Sequence, residues 1–202
     1  MPLQTVTLRG QFALLEPLTA RHIEPMKKLA AGPRETFRWA MVPEPDEVEE
    51  YVKKALAQTA LPFAICTPAG DLVGCTRLFD LQRWEWPKGK DPRPGEDVFD
   101  AAEIGYTWLA ESAQRTRINT EAKLLLLRHV FETWRCFRVT LKTDERNERS
   151  RRAIERLGAR LDGILRAFQP AADGKPRNTA YYTILAAEWP QVRAGLEARL
   201  WR

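Results

Sequence analysis

The sequence is poor in the residues that carry metal or covalent chemistry. It holds two histidines and three cysteines in 202 residues. The cysteines, Cys66, Cys75 and Cys136, are odd in number and none stands in a Cys-x-x-Cys pair. That argues against a disulfide framework and offers no zinc-ligand spacing. Two of them fall in apolar, strand-like runs, the usual setting of a buried, inert thiol. His22 and His129 sit within helical patterns and read as packing or surface residues, and no persuasive nucleophile appears. No apolar run approaches the ~18 residues that span a bilayer. The opening MPLQTVTLRG has no basic region followed by an apolar stretch, so a cytoplasmic protein is expected. Repeats, low-complexity tracts and linkers are absent too, and the length favours a single domain over 1–202.

What is present is an ordinary globular composition with an uneven charge. The chain is 44% hydrophobic and 29% charged, with a net charge of +5. Residues 112–177 hold 16 Lys/Arg against 8 Asp/Glu, whereas residues 1–111 hold 13 against 17. A nucleic-acid-binding domain is the first reading of such basicity. The basic residues are interleaved with Glu on helix faces, however, without exposed aromatic–basic alternation. A small polyphosphate, such as a phosphorylated cofactor, is the more economical partner. A merely solvated basic surface fits the charge equally well.

Periodicity gives the elements. Val6, Leu8, Phe12 and Leu14 around Arg9-Gly10 read as a hairpin. Thr19 is placed to cap a helix running to Ala31, and Asp46 a second helix with Val48, Tyr51, Val52 and Leu56 inside. Residues 33–45 are irregular. Strands follow at 62–67 and 72–81, joined by the turn Pro68-Ala69-Gly70-Asp71, then a polar, turn-rich segment over 82–100. A strand over 101–109 leads into a long helix from Thr116 to Trp134 with Leu124, Leu127, Phe131 and Trp134 on one stripe. A strand over 137–143, a helix from Asn147 to Leu157 stopped by Gly158, strands near 161–168 and 180–187, and a helix over 188–200 complete the chain. The strand–helix–strand unit over 101–143 demands a parallel crossover inside an otherwise antiparallel sheet, and such a sheet opens to ligands where parallel strands diverge.

Two segments carry chemical signals. Gln114–Thr120 is a turn at the start of a long helix, where free N–H groups and the helix dipole favour an anion, and Arg115 and Arg117 add charge there. The second is DERNERSRRAIERLGA over 144–159, which also reads simply as a capped, solvated helix. Taken in order and at this spacing, with LRGQFALLEPLTARHI, NTEAKLLLLRHVFE and YYTILAAEWP, the chain resembles the GNAT acetyltransferases, in particular the ribosomal-protein N-terminal acetyltransferase-like (RimJ/RimL-type) branch. The resemblance implies an α/β (α+β) acyl-CoA N-acyltransferase fold, a mixed, mostly antiparallel sheet with a central parallel strand–helix–strand unit flanked by helices. It also implies transfer of the acetyl group of acetyl-CoA onto an amine, either a protein N-terminus or a small molecule.

The resemblance implies site residues as well. The family's pyrophosphate turn, Gln/Arg-x-x-Gly-x-Gly/Ala, falls on Gln114, Arg115, Thr116, Arg117, Ile118 and Asn119, with Thr120 following. Both glycine positions are occupied, by Arg117 and Asn119, so either the N–H groups still face the phosphates with those side chains turned out, or the side chains make the contacts. Glu103 stands where several members keep a general base, needed because an acceptor amine is protonated at neutral pH. Glu111, in the turn beside the cofactor, is the competitor. Asn147 is implied near the pantetheine arm and Ser150 near the sulfur as an acid for the departing thiolate. The tyrosine that many members use for that role is replaced by Ile154. Backbone N–H groups of Trp108, Leu109 and Ala110 are implied cofactor and oxyanion donors. The acidic half of the chain weighs weakly toward a cationic acceptor. A homodimer and a non-catalytic acyl-CoA-binding regulatory module are the remaining expectations.

Overall fold

The computed structural model describes residues 3–37, 39–93, 95 and 98–201. Eight strands form one sheet: β1 (Leu8–Arg9), β2 (Leu14–Pro17), β3 (Leu61–Cys66), β4 (Leu72–Gln82), β5 (Ala101–Leu109), β6 (Arg138–Asp144), β7 (Arg160–Pro170) and β8 (Pro176–Leu185). Their spatial order is β1-β2-β3-β4-β5-β6-β8-β7. Only the β5–β6 pair is parallel, as the crossover requires. Among the described residues five α-helices accompany the sheet: α1 (Ile23–Ala30), α2 (Val48–Ala57), α3 (Arg117–Arg128), α4 (Glu148–Arg156) and α5 (Trp189–Leu200). None among the described residues is long and apolar enough to cross a membrane.

The two faces of the sheet are dressed differently. Leu126 and Leu127 of α3, Val130 and Phe131 beyond it, and Val192 and Leu196 of α5 pack on Leu15, Phe63, Ile104, Leu141 and Tyr182 to form the larger core. Each fully buried leucine there is worth about 1.5–3 kcal/mol. On the other face, α1 and α2 bury Met26, Ala30, Val48 and Val52 against Ala64, Cys66, Cys75 and Trp108. These two helices sit over β2, β3 and β4. The side chains that alternate outward from β6 and β8 on that same face have no helix over them among the described residues.

Several local expectations need correction. The second helix enters through a 3-10 turn, Pro45–Glu47, whose N-cap is Glu44 rather than Asp46. Its buried face is Val48, Val52 and Ala55, while Leu56 is exposed. The long helix is α-helical only to Arg128 and continues as a π turn over His129–Thr133. The helix stop at Gly158 holds: its φ is +99°, and a Cβ there would lie 2.8 Å from Val192 Cγ2. All three cysteines are free and buried, and burial pushes the Cys66 and Cys75 thiols up to about 11 and Cys136 to about 12. They are not nucleophiles at neutral pH.

Candidate active site

The parallel pair opens after three rungs, Ala101↔Arg138, Ala102↔Val139 and Glu103↔Thr140. β6 stays with β8 as far as Asp144↔Thr179. β5 is drawn the other way by a bulge: Arg77 pairs with Gly105 but Cys75 with Trp108, which leaves one extra residue on β5. Tyr106 absorbs it at φ +50°, a left-handed conformation uncommon for an aromatic residue. The result is a fork whose crotch is Glu103, with backbone groups of β5 beyond it outside the β5–β6 ladder.

The mouth of the fork meets the start of α3. Thr116 is the N-cap: its Oγ1 accepts from Ile118 N and donates to Ala113 O at 2.7 Å. The N–H groups of Arg117, Asn119 and Thr120 belong to the first helical turn, which has no carbonyls of its own to bond. Arg115 stands before it at φ +60°. The side chain of Arg117 lies against the Phe12 ring, 5.0 Å from its centroid. It is therefore turned toward the first hairpin. Gln114 ties the region together. Its Nε2 donates to Leu109 O at 2.9 Å, and its Oε1 accepts from Arg149 Nη1 at 3.2 Å. The two segments singled out in the sequence, 35 residues apart, thus touch through α4.

On α4, Asn147 is the N-cap and its Oδ1 accepts from Ser150 N at 3.0 Å. Ser150 sits half-buried in the first turn. One expected donor is already engaged, since Ala110 N–H donates to Val73 O at 2.8 Å. Strand alternation turns Trp108 N–H the same way, toward its partner Cys75, so of the three only Leu109 N–H points away from β4. Glu111 is exposed in the 3-10 turn after β5, and six residues of strand, roughly 20 Å, separate Glu103 from Leu109 just before that turn. The two carboxylates occupy opposite ends of β5 and do not share a site.

Glu103 is 4% exposed. Desolvation is the largest influence on its carboxyl and lifts it from 4.5 to about 7, opposed by Lys142 and Arg177 and helped by Asp80. Lys142 Nζ lies 2.5 Å from Oε2. Such a carboxyl is poised to accept a proton near neutrality.

The sequence reading missed several residues around this centre. Lys142 and Arg177 reach the site from β6 and β8. Strand alternation carries the signal, since Leu141 and Tyr182 face the core and their neighbours must face the site. Lys123, 6% exposed on α3, puts Nζ 2.5 Å from Thr107 Oγ1 beside the bulge, and desolvation lowers it to about 7. Glu121 is structural: its carboxylate accepts the N–H groups of Gln11, Phe12 and Ala13 at 2.6–2.9 Å and so anchors the first hairpin to α3. A Cβ on Gly10 would fall 2.2 Å from Glu121 Cδ, so the hairpin requires that glycine. His22 is buried and bonded through Nε2 to Glu16 Oε1 at 2.9 Å, and His129 packs edge-on against Trp134. A cavity of about 370 Å³ is lined by residues such as Leu18, Leu56 and Phe63 and by none of the predicted site residues.

Comparison with known proteins agrees with this architecture. A GCN5-related N-acetyltransferase from Brucella melitensis superposes with a TM-score of 0.83 at 27% identity, covering 99% of this chain and 87% of that one. A T. thermophilus structure assigned as an acetyltransferase gives 0.79 at 31% identity, covering 99% of this chain and 100% of that one. RimJ of Mycobacterium smegmatis, solved with CoA-disulfide, shares the fold with a TM-score of 0.76 at 21% identity, covering 98% and 95% of the two chains. No curated protein matches the chain significantly. The acetyltransferase (GNAT) domain model matches residues 13–160. With the forked sheet and the helix turn that faces it, that match makes this chain a member of the GNAT acetyltransferase family.

Proposed function

We propose that the protein is an acetyl-CoA-dependent N-acetyltransferase that moves the acetyl group directly onto an acceptor amine. The observation that carries this reading is Glu103, a buried carboxyl raised to about 7 at the crotch of the fork. A non-catalytic acyl-CoA-binding module gives such a base no task. The first turn of α3, with Arg115 at its entrance, offers N–H groups and positive charge to the pyrophosphate. The outward N–H of Leu109, beside Gln114 and the α3 turn, offers a further donor to the cofactor there. RimJ of M. smegmatis holds a CoA derivative on this fold, which supports the same use here.

In this scheme the amine nitrogen bonds to the thioester carbonyl carbon, Glu103 accepts the amine proton directly or through water, and the C–S bond then breaks. In this scheme Ser150 protonates the departing thiolate, a good leaving group that needs little help. Such base assistance is worth ~10²–10⁴-fold in rate. The RimJ/RimL type of acceptor, a protein N-terminus, belongs to this proposal alongside small amines. The test is a thiol-release assay with acetyl-CoA against a panel of amines and N-terminal peptides, with mass spectrometry of the product. Amine-dependent thiol release with an acetylated amine is expected. Tight acetyl-CoA binding with no acceptor-dependent release would overturn the proposal.

A further inference from the structure

We infer that the acceptor amine carries a carboxylate, and that Arg177 holds this carboxylate while the amine faces Glu103. The inference rests on the acetyl-transfer reading above and adds the substrate class. On β8, Ala180, Tyr182 and Ile184 face the helix-side core, so Arg177, Thr179 and Tyr181 face the open side. On β6 the same alternation turns Lys142 and Asp144 that way. Among the described residues, Lys142, Arg146, Arg177 and Arg77 bring positive charge to this floor, and its acids answer only the first two. Lys142 has Glu103, and Arg146 has Asp144 at 2.7 Å and Asp173 at 2.9 Å.

Arg177 and Arg77 have no such partner among the described residues. Arg177 is half-buried and donates from Nε to Thr179 Oγ1 at 3.0 Å. No carboxylate among the described residues lies within ion-pair distance of its guanidinium. Arg77, 3% exposed, is held between the rings of Tyr51 and Tyr106, 4.5 and 4.2 Å from their centroids. Its Nη1 reaches Gln58 Oε1 at 3.4 Å, and the two rings enclose its charge. Charges withdrawn from water are ordinarily paired, so the guanidinium of Arg177, which no ring or carboxylate among the described residues answers in this way, calls for an anion from outside. The planar fork of an arginine fits a carboxylate. Arg177 Nε is tied back to Thr179, whose β6 partner Asp144 lies four residues past Thr140, the partner of Glu103, so the two groups line one open floor. A dianion is less suitable, because Glu103 and Asp144 would both repel it. The cofactor phosphates do not compete for Arg177, since their helix turn belongs to α3 on the other side of the sheet.

The test uses matched acceptors with acetyl-CoA: amino acids against their α-amides, and N-terminal peptides with Asp or Glu at the second position against the same peptides with Asn or Gln. The first set reads a free small acid and the second an acidic peptide. The acid member of at least one set is expected to show a kcat/KM about 10- to 100-fold above its neutral match, the worth of a charged hydrogen-bonded contact. Arg177→Gln is expected to collapse that ratio toward one and Arg177→Lys to restore part of it, with acetyl-CoA affinity by calorimetry as in wild type. Neutral matches that serve as well as the acids, or a ratio unchanged in Arg177→Gln, would overturn the inference. Ligand-observed NMR on the CoA-loaded protein probes the same preference without turnover, because binding that does not favour the acids also overturns it. Failure of acetyl-CoA to bind would instead count against the acetyl-transfer reading, so the two failures are distinguishable.

Discussion

Replacing Glu103 by Gln keeps its shape and removes its proton affinity, and the structure specifies two separate consequences. The first is kinetic. With the carboxyl near 7, about half of the wild-type molecules hold an ionised base at pH 7 and about nine-tenths at pH 8, so kcat/KM should rise through that limb. The Gln variant should be slower by about 10²-fold at pH 7, lose the limb, and recover toward high pH as the acceptor amine becomes neutral unaided. Acetyl-CoA affinity should stay nearly the same. The second consequence is in stability. Below pH 4.5 folded and unfolded chains both hold the proton. Between 4.5 and about 7 the folded chain keeps a proton that the unfolded chain releases, so stability falls as pH rises, and above about 7 the full penalty persists. For this carboxyl, 4% exposed, the penalty is about 3 kcal/mol. In the Gln variant Lys142 loses its partner, but that loss is constant across the window. The comparison that isolates the effect is therefore the change in urea unfolding free energy between pH 4.5 and 8, wild type against variant. Wild type should lose up to about 3 kcal/mol more. A variant that keeps the activity limb, or the same slope of stability with pH, would refute the reasoning, and a pH-rescued defect in Glu111→Gln instead would move the base to Glu111.

Three other outcomes follow from the geometry. Charge reversal of Arg115 and Arg117 together should weaken acetyl-CoA binding in calorimetry while leaving the melting temperature of the free protein nearly unchanged, and equal affinity would displace the phosphate site from this turn. Ser150→Ala should lower turnover by about tenfold or less, because the thiolate leaves readily, and a loss beyond ~10³-fold would mean that the hydroxyl also positions the thioester. Glu121→Ala should destabilise the fold by about 3 kcal/mol or more in urea titration, since three backbone N–H groups lose a charged acceptor, and a cost under about 1 kcal/mol would show that water replaces it.

Much of the fold was legible because it follows from periodicity. β5 spans the residues read as a strand, and Gly158 ends α4 where a positive φ is needed. What escaped was decided by neighbours distant in sequence. The cap at Glu44 depends on how Pro45 enters the turn, and Ala55 rather than Leu56 faces β3 because the helix is rotated by what it packs against. The bulge at Tyr106 has no glycine to announce it, since pairing with β4 imposes the left-handed conformation. Of the proposed site, Glu103 and the α3 turn were named through the family resemblance. Lys142, Arg177 and Arg77 belong to no motif and come together only when β4, β6 and β8 are set side by side.

The polar segment between β4 and β5 is tied down by one buried carboxylate. Asp100 is fully buried and accepts from Trp84 N at 2.7 Å, Trp86 Nε1 at 3.0 Å and Arg93 Nη1 at 3.3 Å, while both tryptophans pack on Phe137. One carboxylate therefore serves as the knot for a long excursion of chain. Trimming the excursion would strand that charge in the interior, so Trp84, Trp86, Arg93 and Asp100 form a single unit of inheritance. A descendant that shortens this stretch has to surrender the aspartate in the same step, and one that keeps the aspartate is bound to keep the loop.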